Sequence, residues 1–312
     1  MRAVEDVLGS VVEDSHSPTR LQQRLIDAGC DIRETPPDQI GFLHSVFCHV
    51  GLPRRRTDAS VFDRRSGHVS VRVEAGRQFE GSVHVKQRLP YGVIPRLIMM
   101  HISTEAIRTR RRCVEVGSAR QFLTALGLQT SGGARGGYAA LRAQIDALAA
   151  CTMVLNFQSH GQLVTIDTKL FERLNGWCHR DHSEHRSRTG MLELSDVFYG
   201  TLIEHAVPVD PRAINAIRHS ALALDLYPWL AQRLCRVKTM NGTKLSWYNL
   251  YTQFGQEYRN PKDFKREIRR AIRQVLVVYP DARLREVAGG IVLYPSAPPV
   301  APRPSRPRTR SL

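Results

Sequence analysis

Two successive segments of this 312-residue chain show the same order of predicted structural elements, and this repetition narrows the folds open to it. In the first segment, apolar residues at helical spacing predict a helix at 93–109, which a short strand at 113–116 follows. Ser118 is placed to cap a second helix at 119–126. A glycine-rich turn then leads to a third helix at 138–150.

The first segment closes with two predicted strands. Residues 152–158 alternate as a half-buried strand does, and residues 191–194 are their predicted partner across a long excursion. The second segment opens with a long helical region at 211–236, which Ser220 and Pro228 are expected to bend. Its other predicted elements are a strand at 244–245, helices at 246–254 and 260–276, and hairpin strands at 283–287 and 290–294.

A helix, a strand, two further helices and a strand pair, in this order, describe a winged helix. The predicted fold class is therefore α+β and mainly helical, with two tandem winged-helix domains at 85–207 and 208–296. Residues 297–312 are rich in proline and arginine and have almost no apolar side chains, which predicts a disordered basic tail.

Residues 1–84 are predicted to form an N-terminal extension with partial order at best. A helix is expected near 19–29, but prolines punctuate the poorly patterned remainder. The basic run at 54–56 and the arginine pair at 64–65 fit either a solvated linker or a specific contact surface.

The third predicted helix of the second segment has the most informative pattern in the chain. Asn260 is a good N-cap residue, and Pro261 suits the first helical position. One side is an apolar stripe made by Phe264, Ile268, Ala271, Ile272 and Val275. The cationic candidates for DNA contact are Lys262, Lys265, Arg266, Arg269, Arg270 and Arg273. A merely solvated face would carry more acids than Asp263 and Glu267. Because the third helix of a winged helix usually enters the major groove, we expect this helix to face DNA.

The overall charge agrees with a polyanionic partner. The chain has 45 Lys and Arg against 29 Asp and Glu, a net charge of +16, which favours double-stranded DNA as the partner. No apolar run approaches the ~18–20 residues of a transmembrane helix, and no signal-peptide core is visible, so we expect a cytoplasmic protein that does not contact membranes. Six scattered cysteines without a C-x-x-C pair indicate reduced thiols.

The first predicted domain carries a second, less basic set of candidates. Arg135 precedes its third helix, and Arg142 and Gln144 lie beside the apolar stripe of that helix, which suits DNA contact. A dimerisation or accessory role stays open for this helix, and so does a homodimer. The glycine-rich turn before it lacks the Gly-Lys-Ser/Thr of a P-loop, so we predict no nucleotide cofactor.

The loop before the strand at 191–194 is polar and basic, and its Arg186 and Arg188 are candidate DNA contacts of the wing. The loop also contains possible zinc ligands, which are Cys178, His179, Asp181, His182 and His185. Structural zinc sites usually combine two separated ligand clusters, and the sequence shows no second cluster. We therefore predict neither a metal nor any other cofactor.

Catalysis is not expected either. His185 and Arg188 have the H-x-x-R spacing of tyrosine recombinases, but this spacing is very common and lacks the supporting arginine and nucleophile context. A rolling-circle nuclease needs a metal-binding His-hydrophobe-His triplet, which the sequence does not contain. The sequence predicts a DNA-binding protein without a catalytic motif.

Short blocks of sequence between residues 89 and 296 form a specific set. They begin with LPYG at 89–92, PRL at 95–97, TEA at 104–106, SGG at 131–133 and SALALDLYPWL at 220–230. They continue with SW at 246–247, QFG at 253–255, DF at 263–264, VYP at 278–280 and LYPS at 293–296. In this order they resemble the RepA-type plasmid replication initiator family.

The resemblance implies an initiator that binds repeated origin sites (iterons), promotes opening of an adjacent AT-rich region and recruits host replication proteins, an initiator and a helicase. It also agrees with two winged-helix domains. A transcriptional repressor built from the same domains stays open as an alternative, and a DNA-cleaving or joining enzyme is the remote one.

Overall fold

Helices and short antiparallel strands alternate along the computed structural model, which describes residues 18–80, 82–178 and 189–301. The helices are α1 (Arg20–Glu34), α2 (Ser45–His49), α3 (Val93–Thr109), α4 (Ala119–Ala125), α5 (Gly137–Ala150), α6 (Asp196–His205), α7 (Pro211–Ile217), α8 (Ala221–Leu234), α9 (Trp247–Phe254) and α10 (Pro261–Val278). The strands up to the middle of the chain are β1 (Gly41–His44), β2 (Val61–Ser66), β3 (Val69–Glu74), β4 (Arg77–Glu80), β5 (Val83–Lys86), β6 (Cys113–Gly117) and β7 (Thr152–Ser159). The remaining strands are β8 (Gln162–Lys169), β9 (Phe171–Asn175), β10 (Gly190–Leu194), β11 (Ala206–Val209), β12 (Thr243–Ser246), β13 (Leu284–Val287) and β14 (Gly290–Leu293).

These strands form small antiparallel sheets rather than one large sheet. The largest has the order β2-β3-β7-β8, and two three-stranded sheets have the orders β6-β10-β9 and β12-β14-β13. The pairs β1-β11 and β4-β5 complete the described sheets. The predicted α+β class is confirmed. We call the elements from α3 to β10 the first unit and those from α8 to β14 the second unit.

The first unit contains the predicted helices and first strand. Ser118 caps α4 as expected, because its hydroxyl accepts a hydrogen bond from the Gln121 N–H at 3.2 Å. The Gln121 side-chain oxygen in turn accepts one from the Ser118 N–H at 2.7 Å, which completes a capping box. Gly127 follows this helix with a φ of 67°, as a terminating glycine does.

The predicted pairing of residues 152–158 with 191–194 is wrong. Strand β7 pairs instead with β3 and β8, while β10 lies between β6 and β9. The physical reason is a two-residue turn at His160 and Gly161, which have φ values of 49° and 81°. Two successive positive φ angles match the twist of a tight hairpin, so the chain turns back immediately after β7.

The second unit follows the predicted order closely. The expected long helix is divided into α7 and α8, since Ser220 caps α8 by accepting a hydrogen bond from the Ala223 N–H at 3.2 Å. Pro228 lies inside α8, and the helix continues through it. A short turn at Gly289 connects β13 and β14, and a Cβ on the next residue, Gly290, would lie 1.9 Å from the Leu245 carbonyl oxygen. Only glycine fits where β14 approaches β12 this closely.

The N-terminal extension is more ordered than its sequence predicts. The expected helix is present as α1, and residues 41–74 add strands and the short helix α2, whose side chains join the core, among them Leu43, Phe47 and Val73. Strand β3 is an inner strand of the largest sheet, and β1 pairs with β11. The pairings of β1 with β11 and of β3 with β7 join segments far apart along the chain, so no local signal predicts them, whereas β2 and β3 form a local hairpin. The predicted tail is partly revised too, since Val300 is buried, whereas residues 302–312 lie outside the described chain.

A buried ion pair joins the first helices of the two units. The Arg96 guanidinium of α3 donates from Nε to Asp225 Oδ1 of α8 at 2.7 Å and from a terminal nitrogen to Oδ2 at 3.0 Å. Arg96 also donates to the Leu52 carbonyl at 2.6 Å. A Cβ on Gly51 would lie 2.5 Å from both Asp225 carboxylate oxygens, so glycine is needed beside this pair. The two units and the N-terminal strands thus share one hydrophobic core.

Candidate nucleic-acid interface

The amphipathic helix α10 begins as its sequence predicts. The Asn260 side-chain oxygen accepts a hydrogen bond from the Lys262 N–H at 2.8 Å, and Pro261 occupies the first turn. The apolar stripe is confirmed, because all of its members are buried: Phe264, Ile268, Ala271, Ile272 and Val275. Helix α10 packs most extensively on α8 and also contacts α1, α7 and α9, which leaves its opposite side toward solvent.

The six candidate cations of α10 divide into two groups. Lys262, Arg266, Arg270 and Arg273 are exposed, and we call these four residues the exposed cationic face. Lys265 and Arg269 are half-buried on the flank nearest β13. Because their surroundings differ, the two groups differ in how readily they can contact a ligand.

Of the α10 cations that form ion pairs, Arg266 has the more exposed side chain. Its guanidinium lies 3.1 Å from Asp263 Oδ1 and 3.5 Å from Glu267 Oε1, yet its side chain is 71% exposed. Exposed pairs of this kind contribute only about 0–1 kcal/mol because water screens them. An incoming phosphate or guanine therefore competes easily for the Arg266 guanidinium. Among the described residues, Lys262 and Arg273 form no ion pair at all.

Arg269 is held by the hairpin that follows the helix. Its Nε donates to both oxygens of Glu286 in β13, at 3.0 and 3.1 Å. This hydrogen bond and the carboxylate charge raise the pKa of the Arg269 guanidinium. The Arg269 guanidinium and the Lys265 ammonium also lie over the ring of Trp247, at 5.4 and 4.7 Å from its centroid. The backbone N–H of Trp247 donates to the Gly289 carbonyl at 3.0 Å, so this cluster connects α10 to the tip of the hairpin.

The N-terminal helix α1 limits the open length of α10. Val277 points to the cationic side but is buried, and a Cβ on Gly29 of α1 would lie 2.7 Å from the Val277 carbonyl oxygen. The exposed cationic face therefore extends from Lys262 to Arg273 and ends under α1.

The candidates in the first unit lie in a different environment. Arg135 is exposed in the turn before α5. Arg142 donates to the Trp177 carbonyl at 2.7 Å and is half-buried. The expectation that Gln144 is available for contacts is wrong, because it is 5% exposed and its side-chain oxygen accepts from the Tyr91 N–H at 2.8 Å. The segment before α3 thus covers this side of α5.

The candidate wing contacts Arg186 and Arg188 lie outside the described residues, as do His179, Asp181, His182 and His185. Within the ranges that the structure describes, no cluster of His, Cys, Asp or Glu is arranged to hold a metal ion. No described helix is both long and apolar enough to cross a membrane.

Comparison with known protein families supplies an independent observation. The model of a family described as plasmid-encoded RepA protein matches residues 89–249, about half of the chain. The chain belongs to this RepA family. A search of curated proteins finds no match.

The RepA family match relates the chain to plasmid replication and covers the whole first unit. It continues through α8 and β12 and ends inside α9, so α10 and the hairpin β13–β14 lie beyond it. Blocks of the sequence resemblance beyond residue 249, such as DF at 263–264 and LYPS at 293–296, are outside the matched range.

Sequence reasoning missed the partners that organise α10. Glu286 is 17 residues from Arg269 along the chain, a separation without any helical or strand period. Trp247 begins another helix, and only the fold brings its ring beneath Lys265 and Arg269. The sequence carries a weak signal for these partners, since an aromatic residue at the start of the preceding helix and an acid in the hairpin are residue types that contact cations.

Proposed function

We propose that this RepA-family chain is a plasmid replication initiator that binds repeated sites in origin DNA through α10. The exposed cationic face carries this proposal. Four cations occupy one side of a helix whose other side is fixed in the core, and the acids nearest to them form only weak, solvent-exposed pairs. Such a surface suits the phosphates and guanine edges of a DNA major groove.

We propose further that both units are winged helices. In the second unit, the sheet order β12-β14-β13 places the last strand in the centre, with α9 and α10 between the first strand and the hairpin. The order β6-β10-β9 repeats this arrangement in the first unit, with the hairpin β7–β8 inserted after α5. In a winged helix the third helix reads the major groove, which is the position of α10.

The contacts around Arg269 support a division of labour within α10. Arg266 and Arg273 project freely and suit direct contact with bases or phosphates. The pair of Arg269 with Glu286 instead holds the hairpin at a fixed angle to the helix, so that both elements approach the duplex together. Opening of AT-rich DNA and recruitment of a host initiator and helicase are the parts of the proposal that rest on family membership. We propose no catalytic step for the chain itself.

A binding assay on DNA from the plasmid region beside the gene tests the central step. The wild-type chain should bind direct repeats more tightly than shuffled DNA, and Arg266→Ala should cost about 1–3 kcal/mol on the repeat and relax specificity. Arg108→Ala is a matched control, since Arg108 also forms an exposed i,i+3 pair, with Glu105 on α3. Equal losses of affinity for repeat and shuffled DNA would make Arg266 a backbone contact only.

The salt dependence of binding tests the electrostatic part. If about six phosphates are neutralised, the affinity should fall ~10³-fold between 50 and 200 mM salt. An affinity that does not change with salt would contradict DNA binding by this surface.

Replication itself is tested with a DNA circle whose only origin carries the repeats and the AT-rich stretch. The wild-type gene should maintain the circle, and the variant with both Arg266→Ala and Arg273→Ala should lose it. Binding confined to a promoter palindrome, without maintenance of the circle, would indicate a repressor. Covalent adducts between the protein and supercoiled origin DNA would indicate an enzyme and overturn the binding-only proposal.

A further inference from the structure

A basic groove adjoins the exposed cationic face. It has a volume of about 270 Å³, and its lining includes Arg55, His219, Tyr258, Glu267 and Arg270. Arg270 belongs to both surfaces, so the groove continues the side of α10 that we propose faces DNA. The groove combines the N-terminal run at 54–56 with the second unit, although these residues are about two hundred positions apart.

One carboxylate fixes the basic run in place. Glu257, in the turn before α10, accepts hydrogen bonds at Oε1 from the backbone N–H groups of Arg54 and Arg55, at 2.8 and 3.3 Å. Its other oxygen lies 3.2 Å from Arg54 Nε and 3.0 Å from a terminal nitrogen of the buried Arg64. Burial would raise the pKa of Glu257, but Arg54 and Arg64 outweigh it and hold the pKa below its usual range. Glu257 thus stays charged and anchors the loop.

The arginines at 54–56 differ in whether their guanidinium groups are available to a ligand. The Arg54 side chain is buried and pairs with Glu257 and Asp225. Arg55 is exposed, its guanidinium lies 5.4 Å from the centroid of the Tyr258 ring, and no described carboxylate pairs with its side chain. Arg56 is exposed as well but does not line the groove.

The groove has an excess of positive charge. Arg55 and Arg270 face one acid, Glu267, which already contacts Arg266 at 3.5 Å. Burial lowers the pKa of His219, and the positive charges of Arg270, Arg24 and Arg218 lower it further. A ring surrounded by cations from α10, α1 and its own segment marks a place where an anion would relieve repulsion.

We infer that this groove binds a backbone phosphate of DNA beside the base pairs contacted by α10, with Arg55 and Arg270 as its charge partners. The inference rests on the proposed DNA-binding function and extends it to the N-terminal segment. A phosphate carries no base identity, so the contact sets register and affinity rather than sequence preference.

The test compares Arg55→Ala with Arg56→Ala in the full chain, on repeat DNA and on shuffled DNA of the same length. Loss of one phosphate contact should weaken binding about 5- to 10-fold at ~0.1 M salt, equally on both DNAs, and should reduce the salt slope by about one. Arg56→Ala removes the same charge one residue away and should change affinity less than about 2-fold. Arg55→Lys should retain most of the salt slope, because the charge remains.

Three outcomes would overturn the inference while wild-type DNA binding stands. Arg55→Ala could leave the salt slope unchanged, could weaken binding to the repeat alone, or could match Arg56→Ala, which would indicate only diffuse charge. Failure of the wild-type chain to bind either DNA would instead remove the proposed function itself. Because the Arg55 side chain is exposed and its guanidinium contacts the Tyr258 ring without a described ion pair, the unfolding midpoints of the variants should equal that of the wild type, which would show that folding is not the cause.

Discussion

Helices α5 and α10 occupy the same position in two similar orders of elements, and their surroundings are opposite. Within α5 the polar side chains turn toward the protein: Gln144 and Asp146 are buried, and Arg142 donates to the Trp177 carbonyl. Within α10 four cations face solvent from Lys262 to Arg273. An equivalent place in the order of elements therefore does not give an equivalent surface.

The difference comes from what packs on each helix. The segment that precedes α3 crosses α5. A Cβ on Gly76 would lie 1.8 Å from the Ala150 carbonyl oxygen, and the Tyr91 N–H donates a hydrogen bond to the Gln144 side-chain oxygen. Helix α1 packs on α10 near Val277 but leaves Lys262, Arg266, Arg270 and Arg273 exposed. The N-terminal residues therefore cover the polar side of α5 and leave the cationic side of α10 open.

The buried histidine His44 should make the free energy of unfolding strongly dependent on pH. His44 lies between Phe157 and Phe198, and burial, followed by His205, lowers its pKa from 6.5 to about 3. The unfolded chain gains a proton near pH 6.5 and the folded chain does not, so stability is lost as pH falls from about 6.5 toward 3. The contribution is on the order of a few kcal/mol over the whole window.

Urea unfolding between pH 7 and pH 4 measures this loss. The Nδ1 of His44 caps α2 by accepting a hydrogen bond from the Val46 N–H at 3.2 Å. His44→Asn offers an oxygen for this cap and removes the titration, so its unfolding free energy should depend less on pH, although it begins lower at pH 7. His160→Gln, at an exposed turn, should leave the pH dependence unchanged. If the His44→Asn slope equals that of the wild type, another group is responsible.

Removing charge from the two helices should affect DNA binding very differently. The variant with Arg266→Ala and Arg273→Ala should bind repeat DNA about 100-fold more weakly, as two direct contacts are lost. The variant with Arg135→Ala and Arg142→Ala should change affinity less than about 3-fold, because Arg135 lies in the turn before α5 and the Arg142 guanidinium is already hydrogen-bonded to the Trp177 carbonyl. Titration of labelled DNA with both variants measures this difference. Similar losses would show that the first unit also contacts DNA and would end the contrast.

Glutamines on the two helices offer a matched test of stability. Gln144→Ala leaves the Tyr91 N–H without its acceptor in a buried place and should lower the free energy of unfolding by about 1–3 kcal/mol. Gln274→Ala, on the half-buried flank of α10, should change it by less than about 0.5 kcal/mol. Denaturant unfolding of the two variants compares them directly. Equal effects would mean that α5 is no more enclosed than α10.

The smallest predicted effect lies within α10 itself. Arg269→Ala should weaken DNA binding less than Arg266→Ala does, because Glu286 already neutralises Arg269. Glu286→Gln removes that carboxylate charge and should tighten binding to shuffled DNA by a few-fold, about 2- to 5-fold at low salt. Competition assays on both DNAs detect this change. A larger loss for Arg269→Ala than for Arg266→Ala would place Arg269 among the base contacts.

Local patterns account for the parts of the fold that the sequence predicted well. The bounds of α3 and the cap of α4 follow from short-range periodicity and from hydrogen bonds spanning three residues. The pairing of β7 differs from the predicted one because a local hairpin at His160 and Gly161, rather than a distant strand, supplies its partner. The pairings of β1 with β11 and of β3 with β7 escaped prediction because these partners are distant in sequence, although β2 and β3 form a local hairpin.

The sequence alone determined that residues 261–278 form a helix with one apolar and one cationic side, since the helical period and the Asn260–Pro261 start are local properties. The tertiary structure decided which cations remain free. It paired Arg269 with Glu286, ended the open face under α1 and placed Arg55 and Arg270 along the same groove. These outcomes depend on how distant segments pack, because burial and ion pairing are set by neighbours in space rather than by neighbours along the chain.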